Sequence, residues 1–551
     1  LKDRTSLFLL GILVLAAVLR LQSIGFGLPA LNDPDELMFQ MGAVRMLRGP
    51  TLNPGWFGHP ATTTMYVLSL VDAAVFATGY VMGWFPSVKG FANAIYGDPT
   101  WVMLPGRVAM AVFALWAIWL VYRLGRELCD RRTGLFAALL LALSPLHIAY
   151  SQIIRSDIMA MAFVLLSLLA CLRVARTGRW RDHVLAAMWL GIAMATKWPS
   201  ALIGLGLVGA ILLRARIICN GIAMPFPAFA TLRQPMLKIA AVSVMTLGFL
   251  LLTSPYLLLD SATVIRNLHG EAQLHHIGAT GGTPWQNAGW YLAGPLPRGL
   301  GWPGLLLSGW GLLLIVRREE GRAIILPVMI GLIVVTCSQR LVWDRWALPL
   351  LPLLAICAGA GLGQVCDWLD ERLRHDGRLA AMAKALALVL CFVPLAWNAE
   401  TESRERLNDT RQQASQWALA NFGPDSSVML EHFGFDMAAM PWRFLFPLGD
   451  AGCIDAKSMI SGKAGYGVID AARGSRSNVD YGTLAPDKRD SCRADYAILS
   501  QYDRYAAERA DFPAEYEAYR ALIARGRIVA TFRPQPGVSS GPIMRIVQFP
   551  R

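Results

Sequence analysis

The chain has 551 residues, of which 55% are hydrophobic and only 16% charged, with a mean hydropathy of +0.43. Soluble domains carry about 25% charged residues, so these figures exclude an ordinary cytosolic enzyme, a disordered chain and a small disulfide scaffold. Lys and Arg outnumber Asp and Glu by 51 to 38, an excess that in a membrane protein belongs to cytoplasmic loops rather than to a nucleic-acid partner.

Apolar stretches of bilayer length, or nearly so, recur at 6–24, 106–122, 134–150, 158–172, 183–196, 199–213, 236–258, 302–316, 323–337, 346–364 and 379–397. Basic clusters stand at Arg123/Arg126/Arg131/Arg132, at Arg173/Arg176/Arg179/Arg181, from Arg214 to Lys238, at Arg317/Arg318/Arg322 and at Arg372/Arg374/Arg378. Each is two apolar segments from the next, so all five fall on one face, expected to be cytoplasmic. Lys2 and Arg4 put the N-terminus on that face as well, and the loop at 26–60 on the other. An odd number of crossings must then separate that loop from Arg123. The stretch 61–85 contains Asp72 and the run Thr62 to Thr64, which makes it an interfacial or re-entrant helix. Eleven crossings result, with loops 151–157, 197–198, 259–301 and 338–345 facing outward.

Charged residues rise from 13% over residues 1–400 to about 25% over 401–551, the level of a soluble domain. The expected fold is therefore an all-α polytopic membrane bundle over residues 1–398 with catalytic outer loops 26–60 and 259–301, followed by a small extracytoplasmic α/β domain over 399–551. In that domain residues 411–421 and 514–525 read as helices, and 427–431, 494–499, 526–532 and 543–549 as strands. Cys453 and Cys492 lie in an outward compartment where a disulfide is permitted. The cysteines show no CxxC or Cys/His spacing for zinc.

The residues with chemistry to offer gather in the outward loops. Asn32-Asp33-Pro34-Asp35-Glu36 places three carboxylates directly after a membrane segment. Asp33 with Glu36 reads as a capping box, with Pro34 in the first helical turn. The cap explains Asp33 but not Asp35 and Glu36, and such a cluster of carboxylates at the mouth of an apolar bundle is costly unless used. A second cluster, Tyr150-Ser151 through Arg155-Ser156-Asp157, faces the same side. Its plain alternative is a helix cap with Arg155 as ion-pair partner. Outward cations oppose the topological rule. They are His59, Lys197, His269, His275, His276, Arg298, Arg340 and Arg345, and a phosphate at the membrane surface would account for them. Snorkelling, or an Asp344–Arg345 pair, is the plain alternative. No Walker A loop, dinucleotide fingerprint, GxSxG or HExxH is present, so a cytoplasmic nucleotide is not the expected donor.

Several of these residues together resemble the GT-C superfamily of membrane glycosyltransferases, in the branch of protein O-mannosyltransferases and the lipid A aminoarabinose transferase. The resemblance rests on Asp35-Glu36, on His59-Pro60, on the run from Arg123 to Gly134, and on Tyr150-Ser151 followed by Asp157. It continues through Thr196-Lys197 with Pro199 and Arg345-Trp346 with Pro349 and Pro352, in order over roughly the first 400 residues. Ala61 follows His59-Pro60 where the branch has a second proline, and Gly58 stands where the aminoarabinose branch has a glutamate.

The resemblance implies inverting transfer of a sugar from a polyprenyl-phosphate donor to an acceptor hydroxyl at the outer face of the cytoplasmic membrane, with Asp35 as general base. Glu36 and Asp157 would assist it. His59, Arg155, Lys197, His275, His276, Arg298, Arg340 and Arg345 are the candidates for the donor phosphate and substrate. The acceptor is left open between a lipid, a polysaccharide and a protein, and no nucleic acid is implied. No cofactor is required by this scheme. The alternatives are an oligosaccharyltransferase-like enzyme using Mg²⁺ or Mn²⁺ on Asp35 and Asp157, with Asp33 as a further ligand, and a transporter or flippase of lipid-linked sugars.

Overall fold

A computed structural model describes residues 2–49, 51–221, 229–457 and 479–550. Its first helices are α1 (Lys2–Leu21), α2 (Pro34–Arg48), α3 (Thr62–Val81), α4 (Val88–Gly97), α5 (Thr100–Leu128), α6 (Arg131–Leu143), α7 (Pro145–Ser151), α8 (Ser156–Thr177) and α9 (Trp180–Thr196). There follow α10 (Gly204–Gly221), α11 (Phe229–Thr253), α12 (Tyr256–Leu259), α13 (Ser261–Glu271), α14 (Pro284–Ala293), α15 (Pro295–Val316), α16 (Leu326–Cys337), α17 (Leu351–Arg372) and α18 (Gly377–Leu407). The middle of the basic stretch from Arg214 to Lys238 lies outside the described residues.

Local sequence sets many of these boundaries. Asp33 caps α2 by accepting from the Asp35 amide at 3.0 Å, with Pro34 at the first helical position. Asp130 caps α6 through the Thr133 amide at 2.8 Å, and Ser144 ahead of Pro145 starts α7. The bundle packs around α8, 89% of whose apolar window is buried. Helices α15 and α17 meet backbone to backbone: a Cβ on Gly311 would lie 1.8 Å from the Cys357 carbonyl oxygen, so only glycine fits.

Among the described residues, nine helices are long and apolar enough to cross a membrane, or ten if the bent pair α6 and α7 forms one span. The protein is a multi-pass membrane protein. The measure does not reproduce eleven, since α9 has 17 residues and Gly321–Cys337 is short, whereas Thr62–Val81 passes. Contacts place both ends of α3 on one side of the bundle. Thr63 at its start bonds Thr196 at the end of α9 (2.6 Å). Gly79 near its other end packs on Phe85, which stacks edge-on with Trp101 (5.1 Å) at the start of α5.

After α18 come α19 (Thr410–Asn421), β1 (Ser427–Leu430), β2 (Arg443–Pro447), β3 (Cys453–Asp455), β4 (Tyr496–Leu499), α20 (Tyr502–Ala507), α21 (Pro513–Ala524), β5 (Arg527–Phe532) and β6 (Met544–Gln548). The six strands form one sheet in the order β3-β2-β1-β4-β6-β5, with β1 parallel to both β2 and β4. All four expected strands and both expected helices are present. Strands β2 and β3 and helix α20 were not anticipated. The sulfurs of Cys453 and Cys492 are bonded, tying β3 to the turn before β4. Glu431, just past β1, accepts from the amides of Tyr481 (3.0 Å) and Ser500 (2.7 Å) and from the Tyr519 hydroxyl, and burial raises its pKa to about 7. It thereby locks the carboxyl ends of β1 and β4 together, and that edge faces the bundle.

Candidate active site

A cavity of about 4020 Å³ lies between the bundle and the sheet edge. Asp35, His59, Arg155, Lys197, Arg298 and Arg345 all line it, although they come from six separate stretches of chain. The first loop contributes Asp35 through the cap that starts α2. Its side chain, 41% exposed, opens into the cavity with Arg155 Nη1 at 2.7 Å and Arg345 Nη1 at 3.9 Å. Burial opposes its ionisation, but the Arg155 and Arg345 guanidiniums outweigh burial and hold its pKa below the ordinary carboxylate value. Asp33 combines its cap with an ion pair to Arg155, whose Nη2 lies 3.0 Å from each carboxylate oxygen. The capping box is half made, because Glu36 does not turn back to the cap.

The Lys197 and His59 motifs meet through backbone. The Trp198 amide donates to the His59 carbonyl (2.9 Å) and the Ala61 amide to the Thr196 carbonyl (3.2 Å), forming a short antiparallel bridge between Pro60 and Lys197. Ala61 has φ +58°, in the left-handed region that proline's fixed φ cannot reach. The departure from a second proline at this position is therefore built into the backbone. Lys197 pairs with Asp157, which is 5% exposed and sits behind it, away from the cavity lining. His59 is neutral: burial first, then Lys197 and Arg345, lower its pKa to about 3.

Arg345 lies over the Trp343 ring (4.4 Å) and, among the described residues, its Nε has no hydrogen-bond partner. Asp344 pairs not with Arg345 but with Arg298 (2.8 Å), which also holds Glu402 at 2.7 Å. His276 lines the cavity, packed edge-on against Trp343. Arg340 lies at the rim, exposed, and His275 is exposed and outside the lining.

Glu36 does not reach the cavity. It is fully buried against Arg107 (2.6 and 2.8 Å) and accepts the Ile154 amide at 2.9 Å. Its partner was missed in the sequence, though Arg107 is the single charge within 106–122 and such a charge predicts a buried partner. Glu271, whose carboxylate lies 3.8 Å from His59 Nε2, was also missed, since nothing in its neighbourhood marks it.

A divalent cation on Asp35 and Asp157 does not fit this arrangement. Each carboxylate already faces a Lys or Arg, Asp157 is turned from the cavity, and among the described residues no three His, Cys, Asp or Glu converge on a metal-sized space. The cluster instead offers an anion a set of fixed cations beside the solvent-open carboxylate of Asp35. The apolar side chains of Leu202, Leu332, Val335 and Trp346 line a flank of the same cavity.

The sequence model of the family described as dolichyl-phosphate-mannose-protein mannosyltransferase matches residues 84–233. Comparison with curated proteins finds no significant match. Among solved structures, ArnT from Cupriavidus metallidurans bound to undecaprenyl phosphate is similar over 99% of this chain and 98% of its own, with 14% identity and a TM-score of 0.50. The Archaeoglobus fulgidus oligosaccharyltransferase tethered to an acceptor peptide is similar over 94% of this chain and 72% of its own, with 15% identity and a TM-score of 0.52. The archaeal oligosaccharyltransferase AglB from the same organism, in complex with an inhibitory peptide and a dolichol-phosphate, matches 99% of this chain and 74% of its own, with 14% identity and a TM-score of 0.52.

The chain has the GT-C fold. Within the GT-C fold, the stretch matched by the mannosyltransferase family model includes α5 to α9 and therefore carries Arg155, Asp157 and Lys197.

Proposed function

We propose that the protein is an inverting glycosyltransferase that moves a sugar from a polyprenyl-phosphate donor to an acceptor hydroxyl, with Asp35 as general base. The observation that carries this reading is the cavity in which the open carboxylate of Asp35 sits among Arg155, Arg345, Lys197 and neutral His59. An attacking hydroxyl needs a proton acceptor at the bond being made. The departing lipid phosphate needs fixed positive charge where negative charge develops, which Arg345, Arg155 and Lys197 supply. The apolar flank of the cavity gives a polyprenyl chain a place to lie. Undecaprenyl phosphate in the ArnT structure and dolichol-phosphate in the AglB structure support that choice of donor.

Asp157 acts through Lys197 by fixing its ammonium, and Glu36 holds the helix that carries Asp35. The acceptor is a lipid, a polysaccharide or a protein. The positive-inside pattern supports an enzyme of the cytoplasmic membrane with its N-terminus inside and both the site and the C-terminal domain outside.

The test compares envelope glycolipids and glycoproteins by mass spectrometry in cells with the wild-type chain, without it, and with Asp35→Asn. The amide matches the carboxylate in shape but accepts no proton, so product falls by about 10²–10⁴-fold, the usual cost of a lost general base, while undecaprenyl phosphate still binds. Product at near wild-type level from Asp35→Asn overturns the assignment.

A further inference from the structure

The C-terminal domain touches the first loop at one residue more intimately than elsewhere. Asn32, 6% exposed, stands three positions before Asp35. Its Nδ2 donates to Gln412 Oε1 (2.8 Å) and Gln412 Nε2 donates back to its Oδ1 (2.8 Å), a reciprocal amide pair. The Arg411 guanidinium donates to the Asn32 carbonyl at 2.5 Å and is itself fixed by Asp409, 2.9 Å from Nε and 2.8 Å from Nη2. Asp409 is also the cap of α19, accepting the Arg411 amide at 2.9 Å. Room for the Asn32 side chain comes from Gly27, where a Cβ would lie 2.5 Å from Nδ2.

A second contact grips the other side of the same turn. Phe433 and Phe435, from the loop after β1, pack into the cluster of Leu31, Phe39 and Met65 that seats α2. Asp33 and Pro34, the cap and first residue of α2, thus lie between two attachments to one domain. A buried side-chain amide needs partners for both its donor and its acceptor, and here the bundle does not supply them. Gln412 does.

We infer that Gln412, with Arg411, is a positioning residue for the transfer reaction: the C-terminal domain clamps the turn that aims Asp35 into the cavity. The inference rests on the Proposed function only in giving Asp35 the catalytic role; the clamp itself is a statement about backbone order. Pre-organisation of this kind acts on turnover more than on donor binding, because Gln412 bonds the base's turn and lies outside the cavity lining, and neither it nor Arg411 bonds Arg155, Lys197 or Arg345.

The test uses the full chain in lipid nanodiscs with Gln412→Ala, Asn32→Ala, both together, and Gln412→Glu. Amide exchange over residues 31–38 rises about tenfold in each single alanine variant, the cost of a hydrogen-bonded pair, and the double variant goes no further, because the two changes remove one shared interaction. Gln412→Glu keeps an acceptor for Asn32 Nδ2 but loses its own donation, and falls between wild type and Gln412→Ala. Glycan yield in cells drops with the exchange change, while affinity for undecaprenyl phosphate, the probe for the donor site, stays within about twofold, below the effect of one hydrogen bond.

Unchanged exchange over 31–38, additive effects in the double variant, or a yield loss matched by lost undecaprenyl phosphate binding overturns the inference. Should the alanine variants loosen β1 and β4 as well, Gln412→Glu alone decides, by exchange over 31–38. A wrong assignment of the base shows separately, as turnover by Asp35→Asn with the exchange pattern intact.

Discussion

Glu36 stands next to the proposed base and yet belongs to the scaffold, and the two roles separate experimentally. Both it and Arg107 are 0% exposed at the side chain. Removing one member of such a pair leaves the other charge buried and alone, at a cost of about 3–5 kcal/mol. Arg107→Met should reach that range, because Arg107 Nη1 also donates to the carbonyls of Ile24 (2.8 Å) and Phe26 (2.7 Å) in the first loop. Glu36→Gln is milder: the amide retains an acceptor for Ile154 but weakens the bond to the guanidinium, costing about 1.5–3 kcal/mol, the worth of a charge-assisted hydrogen bond. Pairing Arg107→Met with Glu36→Leu recovers part of the loss, since no unpaired charge remains. Thermal unfolding of each variant in detergent orders them as Arg107→Met, then the double variant, then wild type. Turnover below the transition stays close to wild type in Glu36→Gln. A Glu36→Gln protein that melts normally but transfers no sugar refutes the structural role and returns this carboxylate to the chemistry.

Arg345→Met should weaken undecaprenyl phosphate binding by about 10–100-fold, the worth of one charge-assisted hydrogen bond, whereas Asp157→Asn, acting through Lys197, should weaken it less; equal affinities for Arg345→Met and wild type refute the assignment of Arg345 to the phosphate. Replacing Cys453 and Cys492 by Ala should cost about 2–4 kcal/mol in the C-terminal domain, read as a lower unfolding midpoint with turnover per folded molecule unchanged; unaltered unfolding tells against a stabilising crosslink.

The long-range frame of the molecule was readable because it depends on composition. A run such as 158–172 contains no charge and becomes the buried axis of the bundle as α8. Within the site, the cap explained Asp33 and left both Asp35 and Glu36 unexplained, and of these two only Asp35 lines the cavity. Lys197 was legible as the cation interrupting apolar sequence. What failed was the assignment of partners. Glu36 had a stronger claimant than its own helix terminus in Arg107, which lies 71 positions away, and local spacing carries no record of that distance. Arg345 was weighed against its neighbour Asp344, but the turn at 344–347 sends the two side chains to different partners, Asp35 and Arg298. Strand β3, of three residues, is too short for alternation to register, and β2 is the apolar run Phe444-Leu445-Phe446, buried on both faces, which periodicity alone does not assign.

If Asp35 is the base, as proposed, the cations around it set its basicity and make that basicity depend on the proposed donor. In the free enzyme, burial would raise its pKa, but Arg155 and Arg345 together lower it below the ordinary value. The carboxylate is therefore ionised throughout the neutral range, and is lost as a base only as pH falls through that depressed value. A base so depressed is also a reluctant proton acceptor. Arrival of a donor phosphate changes the balance. Its oxygens compete for the Arg345 guanidinium, whose Nε has no hydrogen-bond partner among the described residues and whose nearest approach to Asp35 is 3.9 Å, and they add negative charge within a few ångströms. Both effects raise the pKa of Asp35. The acid limb of kcat/KM, which reports the free enzyme, should then lie below the ordinary Asp value of about 3.9, and the acid limb of kcat, which reports the donor complex, should lie at higher pH. Arg345→Met removes one of the charges that depress the free enzyme, so it moves the kcat/KM limb upward and narrows the gap between the two. Limbs that coincide in the wild type, or a gap that Arg345→Met leaves untouched, would mean that the proton acceptor is a group outside this cluster.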